Sequence, residues 1–189
     1  MIMIMCNLLP SIFEAGRDLG LKRDQVLFAT NDRVVTMFLV VTGAIVLQRH
    51  TSSGTAMTLQ RATPGTIIAE ASAYARHYHC DAVATTESRV RAIPVETFRK
   101  TVSRDPALSE IWSAYLARSV QSARLRSEIR TLRTVSERLD AWLGAAGNLP
   151  ARGTWQHLAA ELGVTREALY RELARRRSTA DRATTRRSS

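Results

Sequence analysis

Apolar positions follow two different periods along this chain, and the change between them near residue 105 divides it. From about 22 to 103 the chain carries short runs rich in Val, Ile and Thr: VLFAT, VVTMFLVVTGAIVLQRH, TAMTLQRA, TIIAEA and CDAVATTESRVRAIP. Asn31-Asp32, Gly43, Ser53-Gly54 and Pro64-Gly65 punctuate them. Such residues suit pleated strands, and the breaks supply turns. Strands at this regular spacing, with no helical pattern between them, predict a closed antiparallel roll. Asp105-Pro106 then marks a helix start, with aspartate as cap and proline in the first turn. From Ala107 to about Ala146 the period is helical. Leu108, Ile111, Trp112, Tyr115, Leu116, Ser119, Val120 and Ala123 recur at three- and four-residue steps, and the pattern continues through Ile129, Leu132, Val135, Leu139, Trp142 and Leu143. A helix of that length exceeds what a small roll can cover. The stripe Ile111, Trp112, Tyr115, Leu116, Ser119 and Val120 is therefore expected to meet a second copy of the chain.

The segment 154–177, TWQHLAAELGVTREALYRELARRR, carries the most specific signal. Thr154 is placed to cap a first helix running to about Leu162, with Leu158, Ala159 and Leu162 on its apolar side. Gly163 supplies a left-handed residue for a sharp break. Thr165 caps a second helix in which Leu169 and Leu173 face inward while Arg166, Glu167, Tyr170 and Arg171 face out. The spacing Ala159, Gly163, Leu169 lets two helices cross closely, as in a helix-turn-helix. An arginine donates two hydrogen bonds to a guanine edge, and a carboxylate accepts one from a cytosine amine. The pattern thus predicts a reader of double-stranded DNA, with Thr154, Thr165 and Arg175 completing the candidate contacts. The bland alternative is a helical hairpin with a solvated charged face.

Composition agrees. The 189 residues carry a formal net charge of +10, which suits a polyanionic partner. From Ala151 onward nine arginines stand against four acidic residues. Lysine is confined to Lys22 and Lys100, so the positive charge is of the forked, phosphate-matching kind. Two cysteines, Cys6 and Cys80, exclude a disulfide framework and a four-cysteine metal site. The start, MIMIMCNLLPSIF, lacks a basic leader and is interrupted by Pro10 and Glu14. It reads as a docked helix, not as a signal peptide or membrane span, so a cytoplasmic protein is expected. The tail 178–189, STADRATTRRSS, has no apolar anchors and is expected to be disordered. The expected division is a roll over 1–104, a dimerisation helix over 105–133, a helix-turn-helix domain over 134–177, and the basic tail.

Roll, long helix, helix-turn-helix: this α+β order resembles the CRP/FNR family of bacterial transcription regulators, named for the cyclic-AMP receptor protein. The resemblance covers nearly the whole chain and rests on VLFATND (26–32), VVTGAIVLQ (40–48), PGTIIAEASAYARHYHCDAVA (64–84) and the helix-turn-helix. It implies two roll hairpins, then a phosphate-binding cassette whose glutamate is matched by Glu70. Arg166, Glu167 and Arg171 match the Arg-Glu-x-x-x-Arg of the family's DNA-reading helix, whereas Tyr170 stands where the family has a small residue or serine. It further implies a cytoplasmic homodimer that meets DNA and RNA polymerase, with no catalytic residues. The family's β wing after the reading helix is expected to be truncated here.

The cassette departs from the cyclic-nucleotide pattern. Family members that bind cyclic nucleotides hold the phosphate with adjacent arginine and serine, where this chain has Cys80-Asp81. A carboxylate there repels a phosphate, so control by cyclic AMP is not expected. Arg76 is the one nearby substitute. The candidate effector pocket is Glu70, His79, Cys80 and Asp81. His77, His79 and Cys80 are secondary candidates for a transition metal or haem; a strand over 77–81 would put His77 and His79 on one face and Cys80 on the other. The alternative to ligands is that His79 and Cys80 pack the cassette while Asp81 bonds a loop backbone. A metal- or haem-responsive regulator of the same family is thus the second reading. A cupin-like metal enzyme, suggested by His77-x-His79 and Glu87, is the third; no histidine follows until His157, and no Gly-x-Ser-x-Gly or P-loop motif is present.

Overall fold

The computed structural model describes residues 8–52, 54 and 56–187. Eight strands form two four-stranded antiparallel sheets. In the first, β1 (Arg17–Leu21), β8 (Ser88–Pro94), β3 (Thr36–Thr42) and β6 (Ile67–Ile68) lie in that order. In the second the order is β2 (Val26–Phe28), β7 (Asp81–Ala84), β4 (Ile45–His50) and β5 (Ala56–Ala62). The two inner faces share one core, in which Met37, Val40, Ile45, Ile67, Ile68 and Val90 are almost fully enclosed. Tyr78 stacks on Phe28 with ring centroids 3.7 Å apart and donates its hydroxyl to the Thr36 carbonyl. The antiparallel roll expected from the short Val-, Ile- and Thr-rich runs and their turn residues is present.

A helical turn, α1 (Leu8–Ser11), precedes β1, and Leu9 and Phe13 enter the roll core. The expected docked start is therefore seen from Leu8 onward; residues 1–7, including Cys6, lie outside the described residues. After β8 come α2 (Val95–Arg104) and the long α3 (Pro106–Thr131). Asp105 caps α3 as anticipated, accepting from the amides of Ala107 and Leu108.

The apolar period runs on through residues 107–146, whereas the helix itself breaks at Leu132 to Thr134 and restarts as α4 (Val135–Ala146). Thr134 accepts from the Glu137 amide while the Glu137 carboxylate accepts from the Thr134 amide. This reciprocal capping box makes a new helix start compatible with a continuous apolar stripe. A short 3-10 turn, Arg152–Thr154, leads into α5 (Trp155–Leu162), and α6 (Arg166–Arg187) ends the described chain. The final helix thus continues past residue 177 into the segment expected to be disordered; residues 188 and 189 lie outside the described residues. Among the described residues no strand follows Pro94.

The chain divides into two compact units, Met1–Ser119 and Val120–Ser189. The division falls inside α3, not at residues 104/105 where the change of period placed it. The reason lies in α3 itself. Ile111 and Trp112, expected to meet a second chain, are buried in the first unit's own core, where Trp112 packs edge-on against Phe98 at 4.9 Å. Tyr115 stacks on Trp112 and bonds the backbone of Ile67 through its hydroxyl. Val120 is the first large apolar residue of the stripe to stand open, 49% exposed.

Candidate functional site

The cassette begins where β6 ends. Ala69 adopts a left-handed backbone, φ 55°, and starts the 3-10 turn Glu70–Tyr74. That bend carries the Glu70 side chain inward, where it is 6% exposed and accepts from the Ser119 hydroxyl of α3. Ser119, read as an interface residue, instead joins the long helix to the cassette.

Beyond the turn the chain is not the strand that the alternation at 77–81 suggested. His77 makes one isolated bridge with Arg33, and regular pairing begins only at Asp81. The candidate ligands consequently look into different surroundings. His77 lies at the outer surface beside Arg33 and Arg76. Nδ1 of His79 is 3.3 Å from the Ser72 hydroxyl, and Arg49 donates to the His79 carbonyl at 2.7 Å. Burial, helped by the Arg49 charge, keeps the His79 ring below the usual imidazole range. Cys80 is wholly enclosed, and burial pushes its thiol up to about 11. Among the described residues no three His, Cys, Asp or Glu side chains gather as a metal group. A neutral enclosed thiol and a histidine already engaged by serine are a poor donor set for a metal or haem.

Asp81 decides the character of the pocket. One of its oxygens accepts from both the amide and the hydroxyl of Thr30, at 2.7 and 2.8 Å. The other lies 3.2 Å from Nδ1 of His50. The Thr30 amide bond, with the hydroxyl and His50 assisting, holds this carboxyl below the ordinary carboxylate range. Asp81 therefore ties β7 to the β2 turn and to the end of β4 as an anion. The donors that satisfy this carboxylate are the protein's own.

The second unit assembles around Ile129, Leu139, Leu158, Leu162, Leu169 and Leu173. Gly163 ends α5 in the left-handed region, φ 65°, and Thr165 accepts from the Ala168 amide, as the spacing predicted. Thr154 departs from expectation. Its side chain caps nothing and donates to the Ala151 carbonyl within the 3-10 turn. Arg166, Glu167 and Arg171 are exposed on α6. Tyr170 is half-buried, its ring packed on Trp155 at 5.4 Å with the Arg166 guanidinium above it at 5.2 Å.

Arg175 is not offered outward as a simple contact. It donates to Glu172 through Nε and Nη2, at 2.8 and 2.7 Å, while Arg176 links Glu172 to Asp140 and Ser136. This clamp, and the guanidiniums of Arg130 and Arg138 on the carbonyls of Ala160 to Gly163, were not anticipated. Glu172 lies within one turn of Arg175 and Arg176, but Ser136, Asp140 and the carbonyls at the end of α5 lie far along the chain from their arginines, so no local pattern announces those bonds. Cations on the open carbonyls at a helix end are favourable there, and they fix the turn between α5 and α6.

Glu172 is 9% exposed, and the Arg175 bond, then Arg176 and Ser136, hold its carboxyl at about 2 against an ordinary 4.5. Its contribution is thus complete above the ordinary value and fades as pH falls toward the folded one. Glu172→Gln is expected to cost about 2 kcal/mol near neutral pH and progressively less below about pH 4.5. Urea melts of both proteins at neutral and acid pH read this directly; an equal penalty at about pH 3 would remove the clamp from the account.

Comparison with known proteins now adds to this geometry. Residues 19–105 match the model of the cyclic nucleotide-binding domain. The roll is thus similar to that domain. No curated protein matches the sequence significantly. Among solved structures, FixK2 from Bradyrhizobium japonicum superposes with a TM-score of 0.74 at 18% identity, over 88% of this chain and 86% of that one. The c-di-GMP-responsive global regulator CLP of Xanthomonas campestris gives a TM-score of 0.68 at 15% identity, over 91% and 92%. The CRP-family transcriptional regulator TTHB099 of Thermus thermophilus gives 0.62 at 16%, over 86% and 85%. The fold of the chain is that of these three proteins. Among the described residues no helix is long and apolar enough to cross a membrane.

Proposed function

We propose that this chain is a sequence-specific, DNA-binding transcription regulator that acts as a homodimer without control by cyclic AMP, in the cytoplasm and together with RNA polymerase. The observation that carries the reading is the rigid turn between α5 and α6. It buries Leu162, Leu169 and Leu173 and leaves Arg166, Glu167 and Arg171 exposed at the start of α6. A helix that enters the major groove by its N-terminal residues presents donors and acceptors from those positions. In a dimer, two such helices lie about one DNA turn, roughly 34 Å, apart and read a two-fold site.

Base reading is tested with Arg171→Ala. The substitution is expected to weaken binding to the specific site by about 1–3 kcal/mol while random DNA loses far less. Competition binding against both DNAs measures the difference, and equal losses would assign Arg171 to phosphate contact only.

Independence from cyclic AMP follows from Asp81, whose partners Thr30 and His50 satisfy it as an anion. Calorimetry with cyclic AMP and cyclic GMP is expected to show no saturable heat, and neither nucleotide should raise DNA affinity. Saturable micromolar binding by either would overturn this part of the reading. The cassette glutamate favours the same conclusion, since Glu70 already bonds Ser119 of the long helix.

A further inference from the structure

A second cavity opens on the outer side of the roll, apart from the cassette interior. It has a volume of 510 Å³ and is lined by Arg33, Val34, Tyr74, Arg76, His77, Glu96 and Arg99 among others. Backbone pairing brings its walls together. The Val34 amide donates to the Arg76 carbonyl at 2.9 Å, and Arg33 and His77 form the isolated antiparallel bridge. Residues opposite one another in such a bridge project to the same side, so Arg33 and His77 stand together, and Arg76 also lines the cavity. From the far wall α2 contributes Arg99. Its Nε donates to the Ala73 carbonyl, its Nη1 to Glu96 at 2.9 Å, and its guanidinium lies 5.6 Å from the Tyr74 ring centroid.

The charge balance of this cavity is uneven. Three guanidiniums and an imidazole face one carboxylate, Glu96, and that carboxylate is engaged by Arg99. Arg33, Arg76 and His77 are exposed and make no side-chain hydrogen bond or ion pair with the described residues. Asp32, the residue before Arg33, accepts from the Ala29 amide at 2.8 Å. Two unpaired guanidiniums, Arg33 and Arg76, line this recess of ligand size together with the Arg99 guanidinium, and the forked geometry of guanidinium suits a doubly charged phosphate. Arg99 is preorganised for this by three contacts, so one wall of the site is fixed before any ligand arrives.

We propose that this outer cavity binds a phosphate group carried by a small molecule, with Arg33, Arg76 and Arg99 as its ligands. The site is independent of the DNA-reading helix and of the cassette pocket that holds Asp81. The shared chemistry is the phosphate, which a nucleotide or inorganic polyphosphate supplies. Tyr74, 64% exposed at the rim, is the group that would tell them apart by stacking on a base.

Full-length protein is titrated calorimetrically with inorganic pyrophosphate and, separately, with adenosine diphosphate. Saturable binding is expected, weakened about tenfold by Arg33→Ala or Arg76→Ala and unchanged by Arg166→Ala or Arg171→Ala. Tighter binding of the nucleotide, abolished as a difference by Tyr74→Ala, identifies a nucleotide site. Equal binding of both identifies a site for the phosphate alone. Both replaced arginines are exposed, and circular dichroism melts establish that the variants are folded. No saturable binding of either probe, or losses as large in the Arg166 and Arg171 variants, would overturn the proposal. So would binding indifferent to Arg33 and Arg76.

Discussion

Gly43→Val is expected to abolish the folded roll. Gly43 lies between β3 and β4 with φ +80°, and a Cβ there would sit 2.2 Å from the Ser88 hydroxyl and 2.4 Å from the Glu87 carbonyl. Two of the three nearest atoms are backbone, and Ser88 is itself buried and bonded to the Ala44 amide. Relief therefore requires moving β8, the strand shared by β1 and β3. A β-branched residue at positive φ adds its own strain. Together these are expected to cost about 4 kcal/mol or more, a large part of the stability of an ordinary domain. Gly20→Val is the control. Nothing lies within 4 Å of its built Cβ, and its φ is not in the left-handed range. Thermal melts should show a lost or strongly lowered transition for the first variant and little change for the second. A Gly43 variant melting within a few degrees of the parent would contradict this turn geometry.

Val120→Glu is expected to separate the proposed dimer while leaving each chain folded. Val120 is 49% exposed and Leu125 37% exposed on α3, so a charge there meets water in the monomer but is buried unpaired in a helix pair. Sedimentation should shift from dimer to monomer, and affinity for a two-half-site operator should fall by about a hundredfold or more as linked binding is lost. Ile111→Glu is a different experiment. Ile111 is 7% exposed within the roll core, so its replacement is expected to unfold the first unit. A Val120→Glu protein that remains dimeric would place the interface elsewhere.

The parts of this molecule that could be read from sequence are those decided by neighbours in the chain. Gly163 and Thr165 announce the turn because the left-handed residue and the cap act within a few positions. The strands are legible through their period and turn residues, and Asp105 through the proline that follows it. Where several local solutions compete, the reading fails. Thr154 has the chemistry of a cap, yet its hydroxyl finds the Ala151 carbonyl first. Thr134 and Glu137 form a capping box inside an apolar stripe whose period runs on past it. Burial direction was equally hidden. The same stripe that looked available to a partner delivers Ile111 and Trp112 to the roll, because α2 and Phe98 come to meet them. At the candidate site, Cys80-Asp81 gives the carboxylate on which the proposed independence from cyclic nucleotides rests. Its positive counterpart, the outer cavity, depends on pairing residues 33 and 77, which no local spacing encodes.

Finally, the bond between Ser119 and Glu70 limits how α3 can turn about its own axis. Successive residues on a helix are about 100° apart, so rotation by one position would bring Arg118 or Val120 toward the buried carboxylate in place of the hydroxyl. Val120 would leave that carboxylate without a donor, and Arg118 would need far more room than serine occupies. The helix is therefore indexed in azimuth at this point, like a shaft held by a key.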